Sequence, residues 1–364
     1  VLGTLDHPAW TVRSFRPPWG PTPCIDLNAD CDLDVPLEQP DMREWLLECG
    51  VELMLYPSPH RLSFESGIPF VMAIHDVQHR IQPEFPEVSA EGERERREYV
   101  YRNAARGAIR LIANSETGRN ELLEGYGEFG LSSDRIAILP YPPPEIDAGQ
   151  SIRCAARVGK QYPLPDRFLF YPAQFWPHKN HLGLIEALGL LRERHGLEIP
   201  LILTGSASGK ERERHVAHLR EQARKLGVSD QIAFLGYVSD EDLLGLYARA
   251  EAMVMPTFFG PTNIPVLEAW AMDCPVITSN IAGNDEQLGD AGILIDPRDF
   301  EDIADGIRRL WTQPLLRKSL IARGRERRSA YTAADFGQRL MFILDEALAE
   351  LSQDSTAKGQ ASCR

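Results

Sequence analysis

With 364 residues, 43% of them hydrophobic, the chain is long enough for two domains with separate cores. Its net charge of −14 argues against a nucleic-acid partner, which needs a basic face. Six scattered cysteines without a CxxC pair fit free thiols in a reducing compartment better than a disulfide framework, and no apolar run approaches the length of a membrane span.

In chain order, residues 1 to 40 are rich in Pro, Trp and Asp and read as loop. No signal peptide opens them, so a cytoplasmic protein is expected; the start at Val1 rather than Met suggests a trimmed beginning. A helix pattern from Met42 leads to the strand "VELMLYPSP". The apolar run "GIPFVMAIHD" has the composition of a buried parallel strand. A charged helix follows from Glu91 to Arg110, then the strand "LIANS", a helix from Glu116, and "RIAILPYPPPE". The proline cluster Pro140–Pro144 cannot continue a helix or a central strand and reads as an interdomain linker. The second half alternates strand and helix: "FLFYPAQ", "HLGLIEALGLLRERHG", "PLILTGS", a helix over Lys210–Leu226, "QIAFLGYV", a helix capped by Ser239, "EAMVMPT", and "PVITS". Such alternation predicts parallel sheets with right-handed crossovers, hence an α/β protein of two Rossmann-like domains facing a cleft. The expected divisions are residues 1–146, 147–334, a helix over 335–352 packing back toward the first domain, and a flexible tail over 353–364.

The stretch "FFGPTNIPVLEAWAMDCPVI" carries the most chemistry. Pro265 suits the first turn of a helix, Thr262 or Asn263 can cap it, and Gly260 lets backbone approach a ligand closely. Free N–H groups of Asn263, Ile264 and their neighbours, backed by the helix dipole, would form a phosphate site. Glu268, read as lying in the same first turn, would be repelled by phosphate but can accept hydrogen bonds from ribose hydroxyls. A second cluster, "YPAQFWPHKNH", places Gln174 and Lys179 on the loop after the first strand of the second domain, where a lysine can hold a diphosphate. Gly205 in "LTGS" and the turn Gly236–Ser239 end the next strands on the same edge, so that four loops converge on one nucleotide.

Together these residues resemble the family-4 retaining glycosyltransferases of GT-B fold, most strongly from Phe168 to Pro297 ("FYPAQFWPHKN", "FLGYVSDEDLLGLYARAEAMVMPT", "GPTNIPVLEAWA", "CPVITSN", "LGDAGILIDP"). The resemblance implies a C-terminal domain binding a nucleotide-diphosphate sugar and an N-terminal domain binding a glycan or lipid-linked acceptor, with no cofactor or catalytic metal. It implies that Lys179 grips the diphosphate, that backbone around Thr262, Asn263 and Ile264 holds phosphate and sugar hydroxyls, that Glu268 binds ribose, and that backbone near Tyr237 and Val238 contacts the base. It also matches His75 in "AIHD" to a histidine facing the donor sugar, and Asn114–Ser115 to a short strand end of unassigned role. Likeness to polysaccharide mannosyltransferases points to mannose transfer from GDP-mannose.

The chain departs from the family pattern in three places. The first of two glutamates spaced as in the family falls at Gly260, an arginine is replaced by Gln174, and no first strand with a Gly-rich turn is recognisable within residues 1 to 40. These departures leave two other readings open: a catalytically silent nucleotide-sugar-binding or partner subunit, and a sugar-nucleotide epimerase on the same fold. No GxGxxG follows a strand, which disfavours a dehydrogenase. His75 and His79 share metal spacing but sit on a strand and loop pattern, and Asp26–Asp34 ("DLNADCDLD") lacks the Gly and Glu of a calcium loop, so neither is assigned a metal. The arginine-rich helix with Tyr99, Val100 and Tyr101 offers either a salt-bridged surface or a peripheral contact with the inner face of a membrane.

Overall fold

The computed structural model describes the backbone of residues 33–361 and the side chains of residues 33–353. The Asp26–Asp34 loop, apart from its last two residues, and Cys24, Cys31 and Cys363 lie outside the described residues.

The first domain contains α1 (Pro40–Glu48), β1 (Met54–Tyr56), α2 (Leu62–Glu65), β2 (Phe70–Ala73), α3 (Gln78–Ile81), α4 (Pro86–Ser89), α5 (Glu93–Gly107), β3 (Arg110–Ala113), α6 (Glu116–Tyr126) and β4 (Ile136–Ile138). Its four strands are parallel and lie in the order β1-β2-β3-β4. When strands follow one another across a sheet, right-handed crossovers put every connecting helix on the same face. Accordingly Phe70, Met72 and Leu111 pack with Tyr99 and Ala104 of α5 and with Leu122 and Tyr126 of α6. The alternate residues Val71, Ala73 and Ile112 point to the opposite face, which no helix of this domain covers. The helix expected to reach Arg110 stops at Gly107, and Arg110 opens β3.

The linker leads to α7 (Ala148–Gln161), then β5 (Leu169–Pro172), α8 (His181–His195), β6 (Leu201–Thr204), α9 (Lys210–Lys225), β7 (Ile232–Gly236), α10 (Asp240–Arg249), β8 (Ala252–Met255), α11 (Ile264–Ala271), β9 (Val276–Ser279), α12 (Asn284–Leu288), β10 (Ile293–Ile295), α13 (Phe300–Thr312) and α14 (Pro314–Ser329). The six parallel strands run β10-β9-β8-β5-β6-β7. The chain winds outward from β5 to β7, then returns to the other side of β5 and winds the opposite way. Helices therefore cover both faces, with α8, α9 and α13 packed together on one and α7, α10 and α11 on the other. Ser239 caps α10 by accepting the Asp242 N–H.

The last helix, α15 (Ala333–Ala361), returns to the first domain, where Ile343 and Ala347 fill the uncovered sheet face against Val71, Ala73, Ile112 and Leu139. The division expected at residue 352 is corrected, because α15 continues through Ala361 without a break. Each added residue of an existing helix gains a backbone hydrogen bond, which carries the helix through "SQDSTAKGQA" despite the low propensity of its Ser, Thr and Gly.

Candidate functional site

Reversal of winding leaves a crevice where the loops after β5 and β8 part in opposite directions. In the loop after β5, Pro177–Lys179 form one 3₁₀ turn, and left-handed Asn180 (φ 55°) caps α8 by accepting the Gly183 N–H. The Tyr171 hydroxyl donates to the Lys179 carbonyl at 2.9 Å, so the backbone beneath this lysine is fixed from the core. The His178 carbonyl accepts the Phe258 N–H (2.8 Å) and the Thr257 hydroxyl (3.2 Å), which ties this loop to the loop after β8. Lys179 is half-buried, and its Nζ has no hydrogen bond or ion pair with any described residue. Burial lowers its pKa, opposed by the negative charges of Asp76 and Glu87.

Three expectations about α11 are corrected. The Asn263 N–H is not free: it donates to Gln287 Oε1 at 2.9 Å, and Gln287 Nε2 returns a bond to the Asn263 carbonyl. Neither Thr262 nor Asn263 caps α11; the buried Asn263 amide instead donates to the Gly260 carbonyl and to Asn284 Oδ1 (2.7 Å). A buried amide group takes the nearest complete set of partners, and α12 supplies it. The Val266 N–H bonds the Asn263 carbonyl and Pro265 has none, so at this helix start the Ile264 N–H is left without a partner among the described residues. Glu268, moreover, lies in the second turn of α11, not the first. It is half-buried and accepts from the Tyr247 hydroxyl through Oε2 at 2.9 Å. Burial raises its pKa against the opposing Tyr247 hydrogen bond, and Asp240 at the start of α10 adds to the rise.

The glycine at position 260 has a steric cause. Its φ is +139°, and a Cβ there would lie 2.7 Å from Asn263 Oδ1, so this turn admits no glutamate. Gly205 is equally constrained: its N–H donates to the Gly236 carbonyl (2.8 Å), and a Cβ would stand 2.1 Å from the Ala173 carbonyl. The loop after β5 thus crosses the end of β6 in direct backbone contact. Tyr237, at the end of β7, is 81% exposed, and Val238 packs against the core. Because β8, β5, β6 and β7 are parallel neighbours, Thr262, Ile264, Lys179, Gln174, Gly205, Tyr237 and Val238 all fall at one sheet edge. Gln174 Oε1 accepts from Trp176 Nε1 (3.1 Å) and from Arg212 (2.7 Å), a residue sequence reasoning did not single out.

Across the crevice, His75 stands just past β2. Its Nδ1 lies 2.8 Å from the Tyr141 hydroxyl and 3.3 Å from Asn114 Oδ1, while Asn114 Nδ2 donates to the Leu139 carbonyl. Tyr141, in the proline-rich linker, was not anticipated. The two domains touch directly. Glu87 of α4 hydrogen-bonds His178, Gln82 donates to the Phe258 carbonyl (2.9 Å), and Phe85 stacks on Phe258. On the other side of the crevice, Glu286 of α12 accepts the Glu116 and Thr117 N–H groups at the start of α6. A cavity of about 310 Å³ between the domains is lined by Asn114, Tyr141, Thr262, Glu286, Gln287 and Arg327.

Residues 156–327 match the family model described as Glycosyl transferases group 1. The O-antigen chain mannosyltransferase B of Escherichia coli is 35% identical over 157 residues, 43% of this chain and 40% of the relative. The D-inositol 3-phosphate glycosyltransferase of Paenarthrobacter aurescens is 27% identical over 261 residues, 70% of this chain and 61% of the relative. Among solved structures, Anabaena HepE in complex with UDP and glucose superposes with a TM-score of 0.68 at 18% identity, covering 84% of this chain and 81% of that one. The second domain thus matches this glycosyltransferase family, and the two domains together have the fold of the superposed structure. This GT-B fold agrees with the expectation from sequence. The chain spans about half the length of the curated relatives it matches.

The second histidine of the i, i+4 pair is structural: His79 is buried, with Nε2 2.8 Å from the Tyr126 hydroxyl and 3.1 Å from Glu98. No group of three or more His, Cys, Asp or Glu among the described residues is arranged to hold a metal ion. The α5 surface is the salt-bridged one: Arg96, Arg97, Arg102 and Arg106 pair with Glu93, Asp76, Glu98 and Asp34, and Tyr99, Val100 and Tyr101 are buried in the core. Its apolar side is therefore not available to a lipid surface. Among the described residues no helix is long and apolar enough to cross a membrane.

Proposed function

We propose that the protein transfers a hexose, with retention, from a nucleoside-diphosphate sugar to a glycan or glycolipid acceptor during polysaccharide biosynthesis. The observation that carries this reading is the lysine at the reversal of winding: the Lys179 ammonium makes no ion pair or hydrogen bond with a described residue where the loops after β5 and β8 are tied together. The named mannosyltransferase relatives favour mannose, and hence GDP-mannose, as the donor.

In the reaction the bond between the anomeric carbon and the diphosphate oxygen breaks, and its electron pair leaves with the diphosphate. The acceptor oxygen forms the new bond to that carbon, and its proton passes to a diphosphate oxygen. Negative charge grows on the leaving group, and a fixed cation aimed at it lowers the barrier. Lys179 and the Ile264 N–H take that role. Glu268, with Oε2 held by Tyr247, presents its other oxygen to the ribose diol. Tyr237 and Val238 border the base. His75, held by Tyr141 and Asn114, faces the transferred sugar, and no metal is required. The test is incubation of the purified protein with GDP-mannose or UDP-glucose and a lipid-linked glycan, with the product's anomeric configuration read by NMR. Retained-configuration product from one donor is expected; donors that neither react nor raise the melting temperature would refute the reading.

A further inference from the structure

The same sheet edge holds a second cation with no ion-pair partner among the described residues. Arg212 lies in the first turn of α9, directly after the Gly205 loop that the loop after β5 crosses. Its guanidinium donates to Gln174 Oε1 at 2.7 Å and lies 4.8 Å from the centre of the Trp176 ring. Both partners are neutral, and both belong to the loop that carries Lys179. Elsewhere on α9, Arg214 pairs with Glu211 and Arg224 with Glu221, each at 2.8 Å, while Arg220 lies 4.4 Å from the centre of the Phe234 ring and has no side-chain acceptor orienting its guanidinium among the described residues. Arg212 pairs with no carboxylate among the described residues, although Glu211 and Glu213 flank it in sequence and the chain has 53 acidic residues. Its Nε is shielded from solvent without a hydrogen-bond partner. A guanidinium oriented by a neutral carbonyl and an aromatic face keeps its full charge and part of its donor fork for an incoming anion.

We propose that Arg212 is a donor-binding residue that, with Lys179, grips the diphosphate of the nucleotide sugar, and that Gln174 and Trp176 are positioning residues that hold its guanidinium ready. This inference rests on the donor-site reading above and specifies which groups meet the diphosphate. Charge-assisted hydrogen bonds to a dianionic group place the effect of losing Arg212 at about 10- to 100-fold in affinity.

The test is binding of GDP, UDP, GMP and UMP to the full chain and to Arg212→Ala, Arg212→Lys and Gln174→Ala, by calorimetry and thermal shift. Arg212→Ala is expected to lose at least about tenfold in affinity for the preferred diphosphate and little for the matching monophosphate. Arg212→Lys is expected to recover part of that loss, and Gln174→Ala to show a smaller one. Unliganded melting temperatures control for folding. Unchanged diphosphate affinity in Arg212→Ala, alongside loss in Lys179→Ala, would overturn the role of Arg212 and leave the donor site standing. Equal loss for mono- and diphosphate would also overturn it, because a merely structural arginine behaves that way. Failure of the unsubstituted protein to bind either diphosphate would instead remove the donor-site reading beneath it.

Discussion

The two sheets handle burial differently. The first is wound in one direction, leaves one face bare, and depends on α15 from the far end of the chain to cover it. The second is wound both ways from β5, covers both faces itself, and opens a crevice between β5 and β8. The second sheet thus gathers the unpaired cations, whereas the first contributes packing and the His75 end of the Tyr141–His75–Asn114 hydrogen-bonded set. The lesson is that winding order, more than composition, decides which domain opens a crevice at its strand ends.

The comparison is broken most directly at Lys179. Lys179→Ala is expected to lower kcat/KM by about 10²- to 10³-fold, as loss of one fixed transition-state partner does elsewhere, with an unchanged melting temperature. Equal loss of stability would mean that the lysine belongs to the core and not to the ligand. Next in size is Ile343→Ala in α15, expected to cost about 3 kcal/mol. Hydrogen exchange should show the amides of β2 and β3 losing protection while those of β5 and β8 keep theirs; uniform loss would make the two sheets one unit. Glu268→Ala sharpens the division further. It should raise the donor KM about tenfold for loss of a charged hydrogen bond, and a 2′,3′-dideoxy donor should abolish the difference between variant and parent.

The smallest effect concerns pH and the first domain. Burial, reinforced by the charges of Asp76 and Glu124, pushes Glu121 up to about 7. A carboxyl whose folded pKa lies above its unfolded value favours the fold only while protonated. Its penalty is absent below the unfolded pKa and grows as pH rises toward about 7, above which it is complete. Glu121→Gln should therefore raise the melting temperature by a few degrees at about pH 8 and leave it unchanged at about pH 4. A gain that does not depend on pH would reject the assignment.

The strands of the second sheet were legible because "FLFYP", "LILT" and "AMVM" are buried on both faces and read as unbroken apolar runs. Ser239 and Pro265 were legible as local signals, since a cap and a first-turn proline act within a few residues. What stayed hidden depends on partners distant in sequence. The Asn263 amide is taken by Gln287, 24 residues on, and the Gln174 carbonyl by Arg212, 38 residues on. No periodicity announces such pairs. α7 escaped notice although its apolar residues fall on one face, with Cys154 and Val158 buried there, and Asp147 stood ready to cap it. The distinction between Glu268 in a first and a second turn rests on whether α11 begins at Ile264 or one residue later at Pro265, a detail that composition does not encode.

The closing position of α15 has a consequence during synthesis. The leading lobe leaves the ribosome well before the helix that seals it, so Val71, Ala73 and Ile112 face solvent until the second domain and α15 have been made. Translation speed over the trailing lobe thereby governs how long a sticky half-finished intermediate persists, and chaperone demand should fall on that interval.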